Sequence, residues 1–249
     1  MENQESGGDL RVLYSPAADC PRPIDIIAVH GLNGDSMNTW THFPGRGKPS
    51  TMWLRDLLPE KLPSSRVMTF QYDASVVGNT SAHGVRGNAS KLLQLLRDKR
   101  EDNDDEGRPI VFVGHSLGGI IIKQALKLAS SSRRFSDIAK STRGIVFFGT
   151  PHRGADGAKW LGLLTGIVST ALNQPQSKFI KLLETHSAEL LKVSEDFRPL
   201  ATKYAIVSFY EEHVDRILGK LVSSPPPPPP LANRLRHPQD MMVVFYAAM

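Results

Sequence analysis

VFVGHSLGGIII, the sequence of residues Val111–Ile122, is the stretch that decides the fold. An apolar run typical of a buried strand leads into Gly-His-Ser-Leu-Gly, and an apolar run with helical spacing continues to Leu128. A strand that turns sharply into a helix, with a serine at the turn, is the pattern of a nucleophile elbow. Glycine at positions 114 and 118 removes the side chains that would collide in so tight a turn.

The elbow places Ser116 where a base can reach its hydroxyl, which is a poor nucleophile until its proton is removed. The helix that begins after Ser116 directs unpaired N–H groups, that of Leu117 first, toward the point where an oxyanion would form. The same short pattern also occurs by chance in loops. Its position between a buried strand and a helix favours the catalytic interpretation, so we predict Ser116 as the nucleophile and Leu117 as an oxyanion donor.

A second part of the same site is predicted upstream. The apolar strand at residues 24–29 ends in His30-Gly31-Leu32-Asn33-Gly34. Hydrolases with an elbow place their other oxyanion donor in the loop after an early strand, so we expect the backbone N–H of Leu32 to be that donor. His30 is expected in the substrate-side wall. The alternative is an ordinary glycine-rich loop between a strand and a helix.

Other apolar runs predict a sheet that alternates with helices. Strands are predicted at residues 10–14, 24–29, 66–70, 109–113, 144–148 and 203–210, and helices at 52–58, 81–100, 120–128 and within 155–200. Apolar strands separated by helices are typical of an α/β fold with a doubly wound, mostly parallel sheet. The helix at 52–58 is expected to stop near Pro59 and Pro63. The acidic run at residues 101–106 is interpreted as a solvated turn.

The helical segment at about residues 155–200 stands between two predicted strands. As an insert it either caps the site above Ser116 or packs on the sheet as an ordinary helical layer. The sequence leaves both interpretations open.

Two further loops should border the same crevice as Ser116 because each follows a parallel strand. The first contains His152, which we assign to the substrate-side wall rather than to the catalytic base. The second begins with Glu211 and Glu212, where a carboxylate orients the histidine when the order is Ser, acid, His. Glu211 is the predicted acid, and the alternative is that both are ordinary surface carboxylates.

Composition excludes several functional classes. The chain has 249 residues, 40% of them hydrophobic, which suits one large domain. Its net charge of +5 is spread along the sequence, so no nucleic acid partner is predicted. Cys20 is the single cysteine, which excludes internal disulfides and favours a reducing compartment.

The polar, acidic N-terminus argues against a signal peptide, and no apolar run reaches the ~18 residues of a membrane span. We therefore expect an intracellular protein. No cofactor and no metal are expected, because the chain has no His-Glu-x-x-His motif and no close set of ligands. The stretch Gly45–Lys48 is not a phosphate loop, since Pro49 stands where Ser or Thr would hold magnesium.

Several motifs together resemble those of one group of α/β-hydrolases. In chain order they are Ile26–Leu32, Trp40, Trp53–Pro59, Gly114–Gly119, Phe148–Gly154 and Ser208–Glu211. The group is the serine esterases that include the serine-active-site-containing proteins and the hydrolase domains at the front of fungal nucleotide-binding receptor proteins. The resemblance covers about residues 23–222.

This resemblance implies an α/β-hydrolase fold and a serine hydrolase that cleaves carboxylic esters, in particular lipid esters, through an acyl-enzyme on Ser116. Acyl transfer is the alternative reaction, since some members are linked to phosphatidylglycerol remodelling. By the same resemblance we expect peripheral contact with mitochondrial or endoplasmic reticulum membranes.

The chain departs from the family after Val222. The family continues with a further strand and then a loop that supplies the catalytic histidine, whereas Pro225–Pro230 stand here. A proline run cannot donate to a sheet ladder, so we expect the last strand to be missing or displaced. His213 and His237 are weak candidate bases, and neither matches a family motif. The alternative function is therefore a catalytically impaired hydrolase-like module that acts in lipid or protein binding or in signalling.

The predicted organisation has three parts. Residues 1–22 form an N-terminal arm, residues 23–222 the α/β-hydrolase domain with its insert, and residues 223–249 a proline-rich tail. We expect the tail to be disordered, with binding of Pro225–Pro230 to an SH3 or WW domain as the alternative.

Overall fold

The computed structural model describes residues 9–21, 23–32, 34–45, 47–74, 82–102, 105–150, 152 and 177–209. Its strands are β1 (Asp9–Tyr14), β2 (Ile24–Val29), β3 (Thr41–His42), β4 (Thr51–Met52), β5 (Ser65–Gln71), β6 (Ile110–His115), β7 (Thr142–Phe148) and β8 (Ala205–Phe209). Six of them form one sheet in the order β1-β5-β2-β6-β7-β8, and β3 and β4 form a separate hairpin. Within the six-stranded sheet of the described residues, β1 is the one strand that is antiparallel to its neighbour, so the predicted mostly parallel sheet is confirmed.

The helices in the described ranges are α1 (Trp53–Asp56), α2 (Leu58–Lys61), α3 (Ala82–Glu101), α4 (Leu117–Ser131), α5 (Ser136–Ser141) and α6 (Ser177–Ala201). The segment predicted as one helix that stops near Pro59 and Pro63 is divided at Leu57 into α1 and α2, and α2 ends at Lys61, two residues before Pro63. Pro59 itself lies in the first turn of α2. Proline is tolerated there because the first helical turn has no acceptor for the missing N–H. Among these helices, none combines the length and the apolar character needed to cross a membrane.

Both faces of the sheet are covered. Ile27, Val29 and Phe112 point to a face packed by α3, α4 and α6, which we call the helical face. Ile26 and Ala28 point to the opposite face, as do side chains from the neighbouring strands. This face is packed by α1, α2 and the two tryptophans Trp40 and Trp53, and we call it the aromatic face. Burial on both faces explains why these strands are apolar throughout rather than alternating. This arrangement is the predicted α/β architecture.

A buried charge cluster joins the N-terminal ends of β2, β5 and β6. Its members are Asp25, Arg66, Arg100, Asp105, Arg108 and Asp137. The fully buried carboxylate of Asp25 accepts two hydrogen bonds from Arg66 at 2.9 Å and one from Arg100 at 2.7 Å. Arg66 also pairs with Asp105 at 2.6 Å. Removing one partner of such a cluster leaves an uncompensated buried charge, at a cost of about 3–5 kcal/mol.

Asp105 corrects the interpretation of the acidic run at 101–106. Its side chain is 2% exposed and ion-paired rather than solvated. Sequence reasoning could not find this contact, since Arg66 lies on β5, far from Asp105 along the chain.

The described end of the predicted insert packs on the sheet. Leu190, Val193 and Phe197 of α6 are buried in the core of the helical face, where α6 packs against α4. For this part of the insert, packing on the sheet is therefore the correct alternative. Residues 153–176, and the predicted tail at 223–249, lie outside the described residues. Within the predicted N-terminal arm, Asp9–Tyr14 forms the edge strand β1.

Candidate active site

Ser116 occupies a strained turn between β6 and α4. Its φ of 51° makes it the one non-glycine residue with a positive φ in the described part of the chain. Its ψ is −121°. Such a conformation costs about 1–3 kcal/mol in a residue with a side chain and is concentrated at functional sites. Because β6 is the fourth of six strands, this turn lies in the interior of the sheet and not at its rim.

Backbone and side-chain hydrogen bonds hold the turn in place. The N–H of Ser116 donates to the carbonyl oxygen of Phe148 at 2.8 Å. The carbonyl oxygen of Ser116 accepts from the Thr150 hydroxyl at 3.2 Å and from the N–H of Gly119 at 3.1 Å. Both polar backbone groups of Ser116 are therefore engaged, and β7 with the loop after it fixes the position of the turn.

Two glycines allow the turn to approach the loop after β2. A Cβ at Gly118 would lie 2.2 Å from the carbonyl oxygen of Val29. A Cβ at Gly31 would lie 2.8 Å from the Cβ of Ser116. Both distances are far below van der Waals contact, so a side chain at either position would force the two loops apart. The segment that carries Leu32 consequently lies directly against the residue predicted as the nucleophile.

The hydroxyl of Ser116 is enclosed and has no hydrogen-bond partner among the described residues. The residue as a whole is 5% exposed. A buried hydroxyl without a partner costs about 1–3 kcal/mol, and in a native structure it calls for a functional explanation. It stands at the N-terminus of α4, a helix of 15 residues, where the backbone N–H groups of the first turn face any developing negative charge.

His30 follows β2 directly and is fully buried, and its place in the substrate-side wall stays a prediction. Its ring is fully buried and stacks on Tyr72, with 4.3 Å between the ring centroids. Nε2 accepts from the N–H of Tyr72 at 3.4 Å, so Nδ1 carries the proton and donates to the carbonyl oxygen of Gly31 at 3.0 Å. Burial lowers the pKa of His30 and keeps it neutral. His30 thus fixes the loop that leads to Leu32.

His152 packs beside Phe147, with 4.8 Å between the ring centroids. Its Nε2 lies 3.2 Å from the hydroxyl of Ser208 on β8. Burial, with the positive charge of Lys123 as a further cause, lowers the pKa of His152 to about 3. This imidazole therefore stays neutral over the physiological range and contacts Ser208. Its place in the substrate-side wall stays a prediction.

Lys123 is a buried cation that sequence reasoning missed. It lies on α4, is 2% exposed, and donates from Nζ to the hydroxyl of Ser194 at 3.1 Å. Its Nζ also lies over the ring of Phe147, 5.4 Å from the centroid. Burial lowers the pKa of Lys123 to about 7. The available signal was a lysine inside the apolar helical run that follows the elbow.

An aromatic cavity of roughly 260 Å³ opens on the aromatic face beside the turn. We define it by its lining residues Thr39, Trp40, Thr41, His42, Trp53, His115 and Phe148. Trp40 meets Trp53 edge to face at 6.1 Å between centroids, and Trp53 meets Phe148 in the same way at 6.5 Å. Sequence reasoning missed this cavity because its walls come from three distant parts of the chain.

The predicted acid and the weak candidate bases lie outside the described residues. These are Glu211, with Glu212 behind it, and His213 and His237. Within the described part of the chain, no imidazole forms a hydrogen bond with the hydroxyl of Ser116. The structure therefore describes the nucleophile's turn and both predicted oxyanion segments, but not the groups that would activate the serine.

Comparison with known proteins places the chain in a family. The profile of a family described as "Putative serine esterase (DUF676)" matches residues 26–197, more than half of the chain. Protein SERAC1 of Homo sapiens is 25% identical over 225 residues, covering 84% of this chain and 33% of that protein. Protein SERAC1 of Bos taurus is 26% identical over 209 residues, covering 77% and 30%. The chain thus spans about a third of the length of these curated relatives.

Among solved structures, the mature lipase BlEst2 of Bacillus licheniformis is 17% identical, with a TM-score of 0.47 and coverage of 81% of this chain and 71% of that one. A thermostable carboxyl esterase from Bacillus coagulans is 14% identical, with a TM-score of 0.43 and coverage of 97% and 94%.

Proposed function

The chain belongs to the family described as "Putative serine esterase (DUF676)", and from that premise we propose that it hydrolyses carboxylic esters through an acyl-enzyme on Ser116. One observation carries the proposal. Ser116 is held in a strained turn at the start of α4 with its backbone fully bonded and its hydroxyl without a partner among the described residues. A protein that stores strain and an unsatisfied hydroxyl at one residue keeps that residue for chemistry.

In the proposed reaction, Ser116 Oγ attacks the ester carbonyl carbon while a histidine takes its proton. The carbonyl oxygen becomes an oxyanion that accepts from the backbone N–H groups of Leu117 and Leu32, each worth about 3 kcal/mol of transition-state stabilisation. The tetrahedral intermediate then breaks its bond to the alcohol, which leaves with the proton from the histidine.

Water completes the cycle. The same histidine removes a proton from water, which attacks the acyl-enzyme, and the acid is released as Ser116 recovers its proton. We assign Glu211 as the carboxylate that orients the histidine, and His213 and His237 as the candidate bases. By resemblance to the family, we also propose lipid esters as substrates and contact with mitochondrial or endoplasmic reticulum membranes.

A covalent probe tests the proposal. A fluorophosphonate should label the wild-type protein and the Ser131→Ala variant, which removes an exposed serine at the end of the same helix, but not Ser116→Ala. Intact-mass measurement should show one added group. If folded wild-type protein stays unlabelled, the hydrolase proposal fails and the non-catalytic module becomes the better account, since no imidazole of the described residues forms a hydrogen bond with Ser116 Oγ.

Two further variants identify the base. His213→Gln and His237→Gln should be compared for turnover of p-nitrophenyl acetate. Loss of the true base leaves only ~10³ to 10⁴-fold catalysis over water. The assignment is wrong for any histidine whose replacement leaves the turnover unchanged.

A further inference from the structure

The aromatic cavity shares its walls with the turn that carries Ser116. His115 lines the cavity and directly precedes Ser116. Phe148 lines it as well, and the carbonyl oxygen of Phe148 accepts the N–H of Ser116 at 2.8 Å. A Cβ at Gly31 would meet His115 Nδ1 and Ser116 Cβ, each at 2.8 Å. His115 and Phe148 therefore join the wall of the cavity to the turn that carries Ser116, and the loop that carries Leu32 packs against the same turn.

The walls suit an uncharged, apolar group. Trp40, Trp53 and Phe148 supply ring surface, and the lining residues that the structure describes include no acidic side chain, lysine or arginine. Burial, together with the neighbouring His30, lowers the pKa of His115, so this imidazole is neutral at physiological pH. A cavity with such walls favours hydrocarbon over a phosphate or an ammonium group.

The volume sets the size of the group. The cavity is an open cleft of roughly 260 Å³, and a methylene group is close in size to a water molecule, which occupies about 30 Å³ in the liquid. It therefore holds about eight carbon atoms. The walls can therefore cover a short or medium acyl chain or a single aromatic ring, but only part of a long fatty acyl chain.

We propose that the aromatic cavity binds the acyl group of the ester and makes the enzyme selective for short and medium acyl chains and for aryl-acyl groups. The inference rests on the proposed function, because it takes Ser116 as the nucleophile. It narrows the proposed ester substrates to those with a short, medium or aryl acyl group, and it names the residues that select them. Trp40, Trp53 and Phe148 are the specificity-determining side chains.

Filling the cavity tests the selection. Thr41 lines the cavity from β3, and Thr51 lies in the same hairpin without lining it, so Thr41→Phe and Thr51→Phe are matched variants. With p-nitrophenyl acetate, hexanoate and dodecanoate, we expect the wild type to prefer hexanoate. Thr41→Phe should lower kcat/KM for hexanoate by about tenfold or more while sparing acetate, and Thr51→Phe should retain the wild-type profile.

Enlarging the cavity should act in the opposite direction. Phe148→Leu shortens one wall without removing the backbone carbonyl that binds Ser116, so its optimum should move to a longer chain. A wild-type preference for dodecanoate overturns the inference. An unchanged chain-length profile in both Thr41→Phe and Phe148→Leu, with fluorophosphonate labelling intact, also overturns it.

A binding measurement separates this inference from the proposed function. In Ser116→Ala, methyl hexanoate should change the fluorescence of the tryptophans that line the cavity. That change should persist when Thr51→Phe is added and disappear when Thr41→Phe is added. Absence of the change in Ser116→Ala overturns the cavity inference, whereas absence of fluorophosphonate labelling in the wild type overturns the hydrolase proposal alone.

Discussion

The hydroxyl of Thr150 donates to the carbonyl oxygen of Ser116 at 3.2 Å, from a side chain that is 2% exposed. The loop after β7 thus supports the turn after β6 through one side chain. Thr150 touches no reacting atom in the proposed mechanism, and so it is a positioning residue.

Replacing this hydroxyl should slow acylation more than it weakens the fold. Thr150→Val keeps the shape and removes the donor, at a stability cost of about 1 kcal/mol. Because a displaced nucleophile loses reactivity steeply, we expect fluorophosphonate labelling and kcat to fall by roughly tenfold with KM little changed. Thr150→Ser restores the donor and should rescue the rate. A purely structural role would instead lower the urea midpoint and leave the rate per folded molecule unchanged.

Ser116→Gly should be more stable than Ser116→Ala. Glycine adopts the φ of 51° without strain, whereas alanine retains the strain that serine has. The expected difference in the free energy of unfolding is about 1 kcal/mol, because glycine's gain is offset by its larger entropy in the unfolded chain. Urea denaturation of the two variants measures it. Equal midpoints would mean that the turn relaxes when the hydroxyl is removed.

Gly118→Ala and Gly87→Ala should change the free energy of unfolding in opposite directions. A Cβ at Gly118 would lie 2.2 Å from the backbone oxygen of Val29, so its replacement should abolish labelling of Ser116 and destabilise the fold by several kcal/mol. Gly87 lies on an exposed side of α3 with nothing within 4 Å of its Cβ position. Alanine there should raise the free energy of unfolding by about 0.5–1 kcal/mol. Thermal melts of both variants measure these changes in stability. A Gly118→Ala protein that remains stable and is still labelled at Ser116 would contradict the close packing.

Lys123→Met should stabilise the protein most near neutral pH. The ordinary pKa of a lysine side chain is 10.5, and burial lowers the pKa of Lys123 to about 7. Between these two values the unfolded chain binds more protons, so this group makes the unfolding free energy rise as the pH rises from about 7 to 10.5. Each pKa unit is worth about 1.4 kcal/mol, and the variant should therefore gain a few kcal/mol near pH 7 and lose that advantage toward pH 10.5.

Lys127→Met is the matched control for that experiment. Lys127 lies one turn further along α4, is 40% exposed in its side chain, and pairs with Asp196. A pair this accessible contributes about 0–1 kcal/mol, so the variant should show little change and no altered pH slope. Parallel slopes for the two variants in urea titrations across this range would contradict the burial of Lys123.

The strand-and-helix pattern was predictable because its signals are local. The apolar run of β6, the glycines around Ser116 and the helical spacing after it stand within a dozen residues, and the structure has the turn where they predict it. The long helix predicted at 81–100 is α3, and the strand predicted at 24–29 is β2.

The contacts that were not predicted join distant parts of the chain. Asp105 is buried because Arg66 reaches it from β5, and His30 is buried because Tyr72 stacks on it. The aromatic cavity requires the hairpin of β3 and β4, the elbow and the end of β7 to meet. Neither periodicity nor composition carries such information. The roles of Ser116, Leu32 and Leu117 stay predictions, as does the role of Glu211.

The charge cluster stands at the opposite end of β6 from Ser116, a strand of six residues and thus about 20 Å away. The charge cluster that stabilises the fold and the serine that carries the proposed reaction therefore lie at opposite ends of one strand. Loops around the serine can be randomised in a search for new substrates while Asp25 and the arginines that pair with it continue to stabilise the fold. Conversely, weakening the charge cluster offers a way to lower the thermal stability of the protein without changing the residues near the serine.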